Sequence, residues 1–443
     1  MSQEERRSAA QGSPAGTVYQ SGFANQFATE AVAGALPSGQ NSPQRPPLGL
    51  VSELVSGTAF AAPRASNRRS YLFRVRPSTH NSPWKETRIP RFLTPPLDFG
   101  HYPGPLRWSS MRDDAVPGNF LDGIQTISGN GSPTAQSGMA IHIYNATAPM
   151  SGKAFANNDA EMLLVPQTGT LLVTTELGIL SISPGEFAVL PRGLKLRVDP
   201  VEGPSYGFLC ENFGLSFELP ELGLIGSHGL ANTADFQTPV AAFGNIDDSV
   251  ELVLKSCGRF WSTHLDHGVF DVVAWRGNWA PYKFDMMKFN TIGSLSYDHP
   301  DPSIFCALTS PSSAVAGGNI DFMILPPRWV VSEHSFRPPG FHRNSVAEFL
   351  ALVQGSHDSR NSAFPPGSFS LHNCWTPHGP DTQTLEIGRK AELVPQKIDD
   401  TMVFMLETRF PLEMASGAMA APQRQINCAD GWAGFVKRFP DGE

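Results

Sequence analysis

The stretch EMLLVPQTGTLLVTTELGILSISPGEFAVLP, Glu161–Pro191, decides the fold class of this 443-residue chain. Apolar runs rich in Leu, Val and Ile alternate with turn residues at Gly178, Pro184 and Gly185, and Gly193 follows the last run. Short runs at such spacing predict consecutive strands of an antiparallel β-sandwich or barrel. We predict four strands here, at Glu161–Pro166, Gly169–Thr175, Ile179–Ser183 and Phe187–Pro191.

Similar strand-like runs recur in the second half, at Asn290–Tyr297, Ile304–Leu308, Phe322–Leu325, Phe349–Val353 and Met402–Thr408. The sequence therefore predicts a mainly β protein with an N-terminal β domain, residues 18–285, and a C-terminal domain, residues 286–443. Residues 1–17 are polar and rich in Ser, Ala, Gln and Gly, which predicts a disordered tail. We also predict a short helix at Asp247–Leu254 and a helical or irregular end over Met419–Arg438.

Composition limits the classes of partner. The net charge of −8 argues against nucleic acid, because binding to phosphates requires a basic surface. No apolar run reaches the length of about 18 residues that a membrane-spanning helix needs.

The five cysteines are scattered and form no C-x-x-C pair, which is typical of free thiols in a reducing compartment. The start of the chain has no apolar core of a secretory signal. We therefore expect a cytoplasmic protein.

Two imidazoles and one carboxylate, those of His342, Glu348 and His378, are candidate metal ligands. This ligand set holds iron(II) on one face and leaves positions free for oxygen and substrate. His342 and Glu348 are six positions apart, which is about 20 Å along a strand and roughly 120° around a helix. Neither form brings both to one ion. The hypothesis therefore requires the chain to bend between Arg343 and Ala347.

Each of the three has a plainer interpretation. His342 could be a hydrogen-bonded interior histidine, and His378, in the turn Pro377–Pro380, could be solvated. Glu348 is more informative, because it lies within the apolar run Val346–Val353 and a buried charge needs a partner. That partner could be a metal ion or the nearby Arg343. The residues alone leave these alternatives open.

His299 is a candidate general base. It follows a strand-like run and precedes Pro300, and Asp298 or Asp301 could orient its second nitrogen. A solvent-facing ring in a proline turn is the alternative. His372, six residues before His378, is close enough in sequence to share the metal site.

The remaining motifs are weak. His264 and His267 form an H-x-x-H pair beside Asp266, which we assign to the surface or to packing, and His80 carries no signal of its own. The chain has no Walker-type phosphate loop, no G-x-S-x-G elbow and no dinucleotide fingerprint after a strand. Nucleotide and serine-hydrolase chemistry therefore have little support.

Ordered segments from residue 18 onwards resemble the homogentisate 1,2-dioxygenase family. They include Tyr19–Phe27, Leu36–Gln44, Asp298–Phe305, Pro326–Trp329, His342–Asn344 and Pro377–Asp381. The resemblance implies a cupin-like β-sandwich or barrel fold, with a large N-terminal β domain and a smaller C-terminal cupin-like domain that binds Fe(II). It also implies a homo-hexamer built as a dimer of trimers.

The resemblance assigns roles to residues of this chain. The family's iron ligands fall on His342, Glu348 and His378, its proposed catalytic base on His299, and His372 on a neighbour of the iron. His372 and His378 are thus candidate substrate contacts as well.

The chain departs from the family pattern just after Glu348. His357 stands where the family has a tyrosine that contacts substrate, and Arg360 stands where it has lysine. Both are therefore candidate substrate contacts that differ from the family's. Near the N-terminus, Ala24 and Gln26 replace the usual Gly and Glu.

The activity implied by the resemblance is iron(II)-dependent cleavage of an aromatic ring by O₂. The expected substrate is homogentisate and the product maleylacetoacetate, in tyrosine and phenylalanine breakdown. The altered residues His357 and Arg360 favour a second possibility, a related dioxygenase for a different para-diphenol. A third, more remote possibility is a non-catalytic cupin-type binding or storage protein.

Overall fold

The computed structural model describes residues 17–114, 117–221, 230–244, 247–291, 296–297, 302–312, 317–357 and 364–439. The predicted tail, except residue 17, lies outside these ranges, as do His299 and Arg360. Strands dominate the described residues, so the prediction of a mainly β protein is confirmed.

The first strands in chain order are β1 (Tyr19–Ser21), β2 (Phe27–Glu30), β3 (Val51–Ser56), β4 (Arg69–Arg74), β5 (Lys85–Thr87), β6 (Gly100–His101), β7 (Leu106–Trp108), β8 (Ile124–Ser132), β9 (Ser137–Ala146), β10 (Lys153–Asn157), β11 (Glu161–Thr175), β12 (Gly178–Ile182), β13 (Glu186–Leu190) and β14 (Lys195–Asn212). The strands that follow are β15 (Gln237–Pro239), β16 (Val250–Ser256), β17 (Arg259–Leu265), β18 (Val272–Gly277), β19 (Tyr282–Asp285), β20 (Cys306–Ser310), β21 (Ile320–Leu325), β22 (Arg328–Val330), β23 (Ala347–Gly355), β24 (Phe369–His372), β25 (Gln396–Ile398), β26 (Thr401–Thr408) and β27 (Glu413–Met414).

The helices of the described residues are short. They are α1 (Thr382–Lys390), α2 (Ser416–Met419) and the 3₁₀ turns Pro47–Gly49, Arg64–Ser66, Thr233–Asp235, Met286–Lys288, Pro302–Phe305 and Cys428–Trp432. Helix α1 begins where the Asp381 side chain accepts a hydrogen bond from the Thr384 N–H at 2.7 Å, which satisfies a free donor of the first turn. None of the helices in the described ranges has the length and apolar character that a membrane span requires.

The chain divides into two compact units. The described residues of the larger unit fall within Met1–Leu97, Arg112–Ser216 and Ala231–Lys288. Its main sheet has the strand order β1-β15-β19-β13-β11-β14-β10-β16-β17-β5, with β12 against β11, β9 against β14 and β8 against β9. A second sheet has the order β2-β18-β4-β3. The core of the main sheet is fully buried and includes Phe155, Leu164 and Leu180.

The segment that decides the fold class contains three strands rather than the predicted four. The first two predicted strands are one continuous strand, β11, whose register against β14 shifts between Pro166 and Thr168 and again between Thr168 and Thr170. Gly169 has φ 68°, and a Cβ there would lie 2.4 Å from the Pro204 carbonyl oxygen. The glycine therefore serves a bulge within the strand and does not end it.

The predicted helix at Asp247–Leu254 is wrong. Val250–Ser256 is strand β16, antiparallel to β17 and parallel to β10. Val250 and Leu252 are buried and pack in one apolar cluster, with the partly buried Leu254 against it. Apolar residues at every second position place these side chains on one face of the strand.

The described residues of the smaller unit fall within Asp98–Met111, Phe217–Leu230 and Phe289–Glu443. Its principal sheet has the order β20-β21-β26-β23-β24-β7, and β22 pairs with β25 and β6 with β27. Three of the predicted strands lie in β21, β23 and β26. A fourth, Ile304–Leu308, begins in a 3₁₀ turn and becomes a strand only at Cys306, and residues 292–295 of the predicted strand Asn290–Tyr297 lie outside the described residues.

Candidate metal centre

A pair of backbone hydrogen bonds brings His342 and His378 together. The His342 N–H donates to the His378 carbonyl at 2.9 Å, and the His378 N–H donates to the His342 carbonyl at 3.0 Å. Residues paired in this way place their side chains on the same side, so both imidazoles face one region. Their ring centroids are 4.2 Å apart.

Glu348 reaches the same region because the chain bends at residues 345 and 346 before β23 begins at Ala347. This is the bend between Arg343 and Ala347 that the spacing of His342 and Glu348 required. Glu348 is the second residue of β23 and is 6% exposed, while the next residue, Phe349, points to the opposite face and is fully buried.

The three side chains converge on one position. Glu348 Oε2 lies 3.1 Å from His378 Nε2, and Glu348 Oε1 lies 3.8 Å from His342 Nε2. One donor atom from each residue lies within 4.8 Å of the other two. Metal–ligand bonds of about 2.1 Å that meet near right angles place donor atoms about 3 Å apart. The spacing and the chemistry of the donors therefore fit a divalent iron held by two imidazoles and one carboxylate.

Backbone carbonyls fix the tautomers of both histidines. His342 Nδ1 lies 2.8 Å from the Gly340 oxygen, and His378 Nδ1 lies 2.9 Å from the Thr376 oxygen. A carbonyl oxygen only accepts, so each Nδ1 carries the hydrogen and donates it. In the neutral rings Nε2 then carries the lone pair that binds a metal, and a protonated ring instead donates from Nε2 to Glu348.

The electrostatics of the site keep Glu348 ionised. Burial raises the pKa of Glu348, but hydrogen bonds with His342, His372 and His378 outweigh burial and hold the pKa well below its ordinary value. Asn344 Nδ2 also donates to Glu348 Oε1. The hydrogen bond to Glu348 raises the pKa of His342 above its ordinary value. Glu348 therefore carries the negative charge among these side chains.

His372 packs beside the three candidate ligands. It is the cross-strand partner of Glu348 on β24, and its Nδ1 lies 3.9 Å from Glu348 Oε2. Its ring stacks on His378 with centroids 3.9 Å apart and planes 10° apart. The stacking restricts the orientation of the His378 ring. The structure thus brings together His342, Glu348, His372 and His378, four of the predicted site residues.

Two further carboxylates lie in the same row across the sheet. Glu407 on β26 is the cross-strand partner of Glu348, and Asp321 on β21 is the partner of Glu407. Burial, then the charges of Glu348 and Asp321, raise the pKa of Glu407 to about 8. Glu407 is therefore mostly protonated at neutral pH. Sequence analysis missed it, although a glutamate after the apolar run Met402–Leu406 gave the same signal as Glu348.

A cavity of about 630 Å³ opens beside the centre. Its wall is mainly apolar and aromatic, with one cationic side chain. The lining residues are Phe341, His342, Arg343, Pro377, His378, Thr382, Trp432 and Phe435. Sequence analysis missed Trp432 and Phe435, because they lie in an irregular C-terminal segment whose position depends on tertiary contacts such as Trp432 Nε1 donating to the Pro380 oxygen at 3.0 Å.

His357 is placed differently from the residues of the metal centre. His357 is 7% exposed, its ring centroid lies 6.0 Å from that of Phe364, and it is not among the residues that line the cavity. His299 and Arg360 lie outside the described residues.

Comparison with solved structures gives distant likenesses. Protein Ylba from E. coli is 10% identical with a TM-score of 0.31, covering 72% of this chain and 96% of that one. A cupin 2 conserved barrel domain protein from Leptotrichia buccalis is 6% identical with a TM-score of 0.27, covering 64% and 88%. A variant of Bacillus subtilis oxalate decarboxylase is 10% identical with a TM-score of 0.28, covering 78% and 88%. The neighbours thus include cupin-type barrels, but TM-scores this low say nothing about the chemistry of this chain.

Comparison with protein families gives matches over almost the whole chain. Residues 18–286 match the N-terminal domain of homogentisate 1,2-dioxygenase, and residues 287–439 match its C-terminal domain. The residues of the candidate metal centre all lie within the second match. Matches of this extent show that the chain belongs to the homogentisate 1,2-dioxygenase family and is a ring-cleaving dioxygenase.

Proposed function

We propose that this protein is an iron(II) dioxygenase that uses O₂ to cleave the ring of homogentisate and form maleylacetoacetate. One observation carries the proposal: the Nε2 atoms of His342 and His378 converge with the Glu348 carboxylate, and both imidazoles are held in the metal-binding tautomer. Two histidines and one carboxylate on one face are typical of non-haem iron(II) oxygenases.

The protein prepares the ligands before the metal binds. The carbonyls of Gly340 and Thr376 orient the two imidazoles, and Asn344 orients the carboxylate of Glu348. Iron(II), when bound, supplies the redox chemistry that lets oxygen react with an electron-rich ring. Hydrogen bonds around the first ligands typically change metal affinity by about 10- to 100-fold, so these contacts matter for retaining iron.

The cavity supports an aromatic acid as substrate. Phe341, Trp432 and Phe435 offer apolar faces against which a ring can pack, and Arg343 adds a positive charge that suits a carboxylate. His342 and His378 line the same cavity, which places the candidate iron ligands beside this aromatic wall.

We propose that His299 takes the phenolic proton of the substrate, as the family resemblance implies, and that His372 and His378 border the bound ring. His357 and Arg360 are proposed to contact the substrate at the positions of the family's tyrosine and lysine.

We further propose that residues 18–285 form the N-terminal β domain and residues 286–443 the iron-binding domain.

The proposed setting is tyrosine and phenylalanine breakdown in the cytoplasm, with the protein assembled as a hexamer of two trimers. The five cysteines are scattered and odd in number, which supports a reducing compartment. Light scattering coupled to size-exclusion chromatography tests the assembly, because a monomer or dimer at micromolar concentration contradicts it.

A second candidate function is cleavage of a different para-diphenol. The observation that favours it is His357, which replaces the family's substrate-contacting tyrosine, and so exchanges a phenol donor for a titratable ring. In this case the metal centre is the same as in the first proposal, and only the side chain of the preferred diphenol differs.

Oxygen uptake by the iron-loaded protein distinguishes these functions. The values of kcat/KM are compared for homogentisate, gentisate and hydroquinones with longer side chains. The product is identified by mass spectrometry. Fastest turnover of homogentisate to maleylacetoacetate supports the main proposal. Faster turnover of another diphenol supports the second, and then His357→Tyr should raise the activity with homogentisate. No uptake with any diphenol supports a non-catalytic binding protein.

A further inference from the structure

A second group of metal-binding side chains lies in the larger unit. It consists of His80, in the loop between β4 and β5, and Asp266 and His267, which directly follow β17. One ligand atom from each residue lies within 4.8 Å of the other two. The sequence paired His267 with His264, but the structure brings His267 together with His80 instead. We call His80, Asp266 and His267 the second cluster.

Contacts of the backbone hold the two segments of the second cluster in place. The Thr263 hydroxyl donates to the Ser82 carbonyl at 2.8 Å, which fixes the end of β17 against the chain that carries His80. The pairing of β17 with β5 continues this contact along the same segments. The proximity of His80 to His267 therefore follows from the sheet.

The three side chains differ in exposure. The side chain of His267 is 8% exposed and is therefore held by its surroundings, whereas that of Asp266 is 89% exposed and His80 is also exposed. The rings of His80 and His267 stack with centroids 4.7 Å apart. One anchored imidazole thus lies beside an imidazole and a carboxylate that can turn without disturbing the core.

The donor atoms suit a borderline divalent metal. His267 Nδ1 and Asp266 Oδ1 are 2.8 Å apart, close to the roughly 3 Å that separates two ligands of one ion. Imidazole and carboxylate ligands together are typical of zinc and its neighbours in the first transition series. The hydrogen bond to His267, together with the nearby His80, lowers the pKa of Asp266, so its carboxylate is ionised at neutral pH.

We propose that His80, Asp266 and His267 bind one divalent metal ion of the zinc class, independently of the iron centre. His267 is the buried ligand. The exposed side chains of Asp266 and His80 rotate toward the ion and supply the other two protein ligands. The remaining positions are open to water.

The test is equilibrium dialysis of the full chain against Zn²⁺, after the iron centre has been loaded with iron(II) under anaerobic conditions. Wild-type protein is expected to bind one Zn²⁺ at the second cluster, and His80→Ala and Asp266→Asn should each lower the affinity of that site at least about tenfold. His264→Ala is the matched control, because this exposed histidine lies on β17 outside the second cluster.

A spectroscopic measurement makes the result independent of stoichiometry. Co²⁺ bound to wild-type protein should give a visible d–d absorption that His80→Ala loses and His264→Ala keeps. Because His80, Asp266 and His264 are exposed, all three variants should fold. The proposal is overturned if His80→Ala and Asp266→Asn bind as much Zn²⁺ as the wild type, or if His264→Ala loses as much as they do.

Discussion

At the scale of single residues, Glu348 shows how far sequence reasoning reaches. A glutamate inside an apolar run must have a partner, and that requirement was visible in the sequence. The candidate partners were a metal ion and Arg343. In the structure, His342, His372 and His378 surround the carboxylate, an arrangement that depends on a backbone pairing between distant residues. Sequence spacing predicted the bend before Glu348 but could not place β24 beside it.

Asn344 is predicted to strengthen metal binding without being a ligand. It donates a hydrogen bond to Glu348 Oε1 and so holds the carboxylate toward the two imidazoles. Asn344→Ala should lower the affinity for iron(II) by about tenfold, as loss of a hydrogen bond behind a metal ligand typically does. Competition with a chelator measures the affinity. An Asn344→Ala protein that holds iron as tightly as the wild type contradicts this role.

His299 is predicted to act on the proton of the substrate and not on the metal. His299→Ala should therefore reduce kcat by about 10²- to 10⁴-fold, the range typical of general acid–base catalysis, and leave the iron content unchanged. Rapid-quench turnover and iron analysis of the same preparation measure both quantities. Full activity in the variant removes His299 from the mechanism, and loss of iron shows that it supports the metal instead.

At the scale of strands, β9, β10, β14 and β16 of the larger unit share a buried charged cluster. His142, Glu211 and Lys255 are fully buried, and Asn157 is 1% exposed. The Lys255 ammonium contacts Glu211 Oε2, Asn157 donates to Glu211 Oε1 at 2.7 Å, and Lys255 Nζ lies 4.4 Å from the centre of the Phe92 ring. The ion pair between Lys255 and Glu211 thus joins β16 to β14, which are separated in the sheet by β10.

Lys255→Met is predicted to destabilise the protein by about 3–5 kcal/mol, because it leaves the Glu211 carboxylate buried without its cation. The double variant Lys255→Met with Glu211→Gln should recover most of the loss, since it removes both charges. Urea unfolding measures the free energies, with Lys397→Met on the exposed side of β25 as the control. A single variant as stable as the control shows that the ion pair does not stabilise the fold.

The strands themselves were only partly predictable. The short, continuous apolar runs Phe322–Leu325 and Phe349–Val353 predicted strands correctly, because runs of this length are typical of strands that are buried on both faces. The run Val250–Leu254 fitted a helix as well as a strand, and its pairing with β10 and β17 decided between them. Pro166 and Gly169 suggested a turn, whereas pairing with β14 keeps the strand continuous through a bulge.

At the scale of the whole molecule, the buried cluster around Glu211 predicts how stability depends on pH. Burial raises the pKa of Glu211, but Lys255 and the hydrogen bond with His142 lower it to about 2, against an ordinary value of 4.5. Because the folded pKa is the lower one, the stabilisation is complete above about pH 4.5 and is lost as pH falls toward 2.

This loss amounts to on the order of 3 kcal/mol. Thermal unfolding of the wild type between pH 5 and pH 2.5 should therefore show a steeper loss of stability than that of the Lys255→Met, Glu211→Gln double variant, which has no such group. Parallel slopes for the two proteins would mean that other carboxylates cause the acid sensitivity.

We propose above that His342, Glu348 and His378 hold iron. Glu348 and Glu407 are cross-strand partners on β23 and β26, so substitution of each in turn gives a matched test. Glu348→Gln removes the charge of the carboxylate between the two imidazoles, whereas Glu407→Gln removes the carboxylate of its cross-strand neighbour, which lies outside the three ligands. Iron per chain is measured after anaerobic loading and desalting. Wild-type iron content is expected in Glu407→Gln, and loss of iron together with loss of oxygen uptake is expected in Glu348→Gln. Retention of iron by Glu348→Gln, or equal loss in both variants, contradicts the proposal.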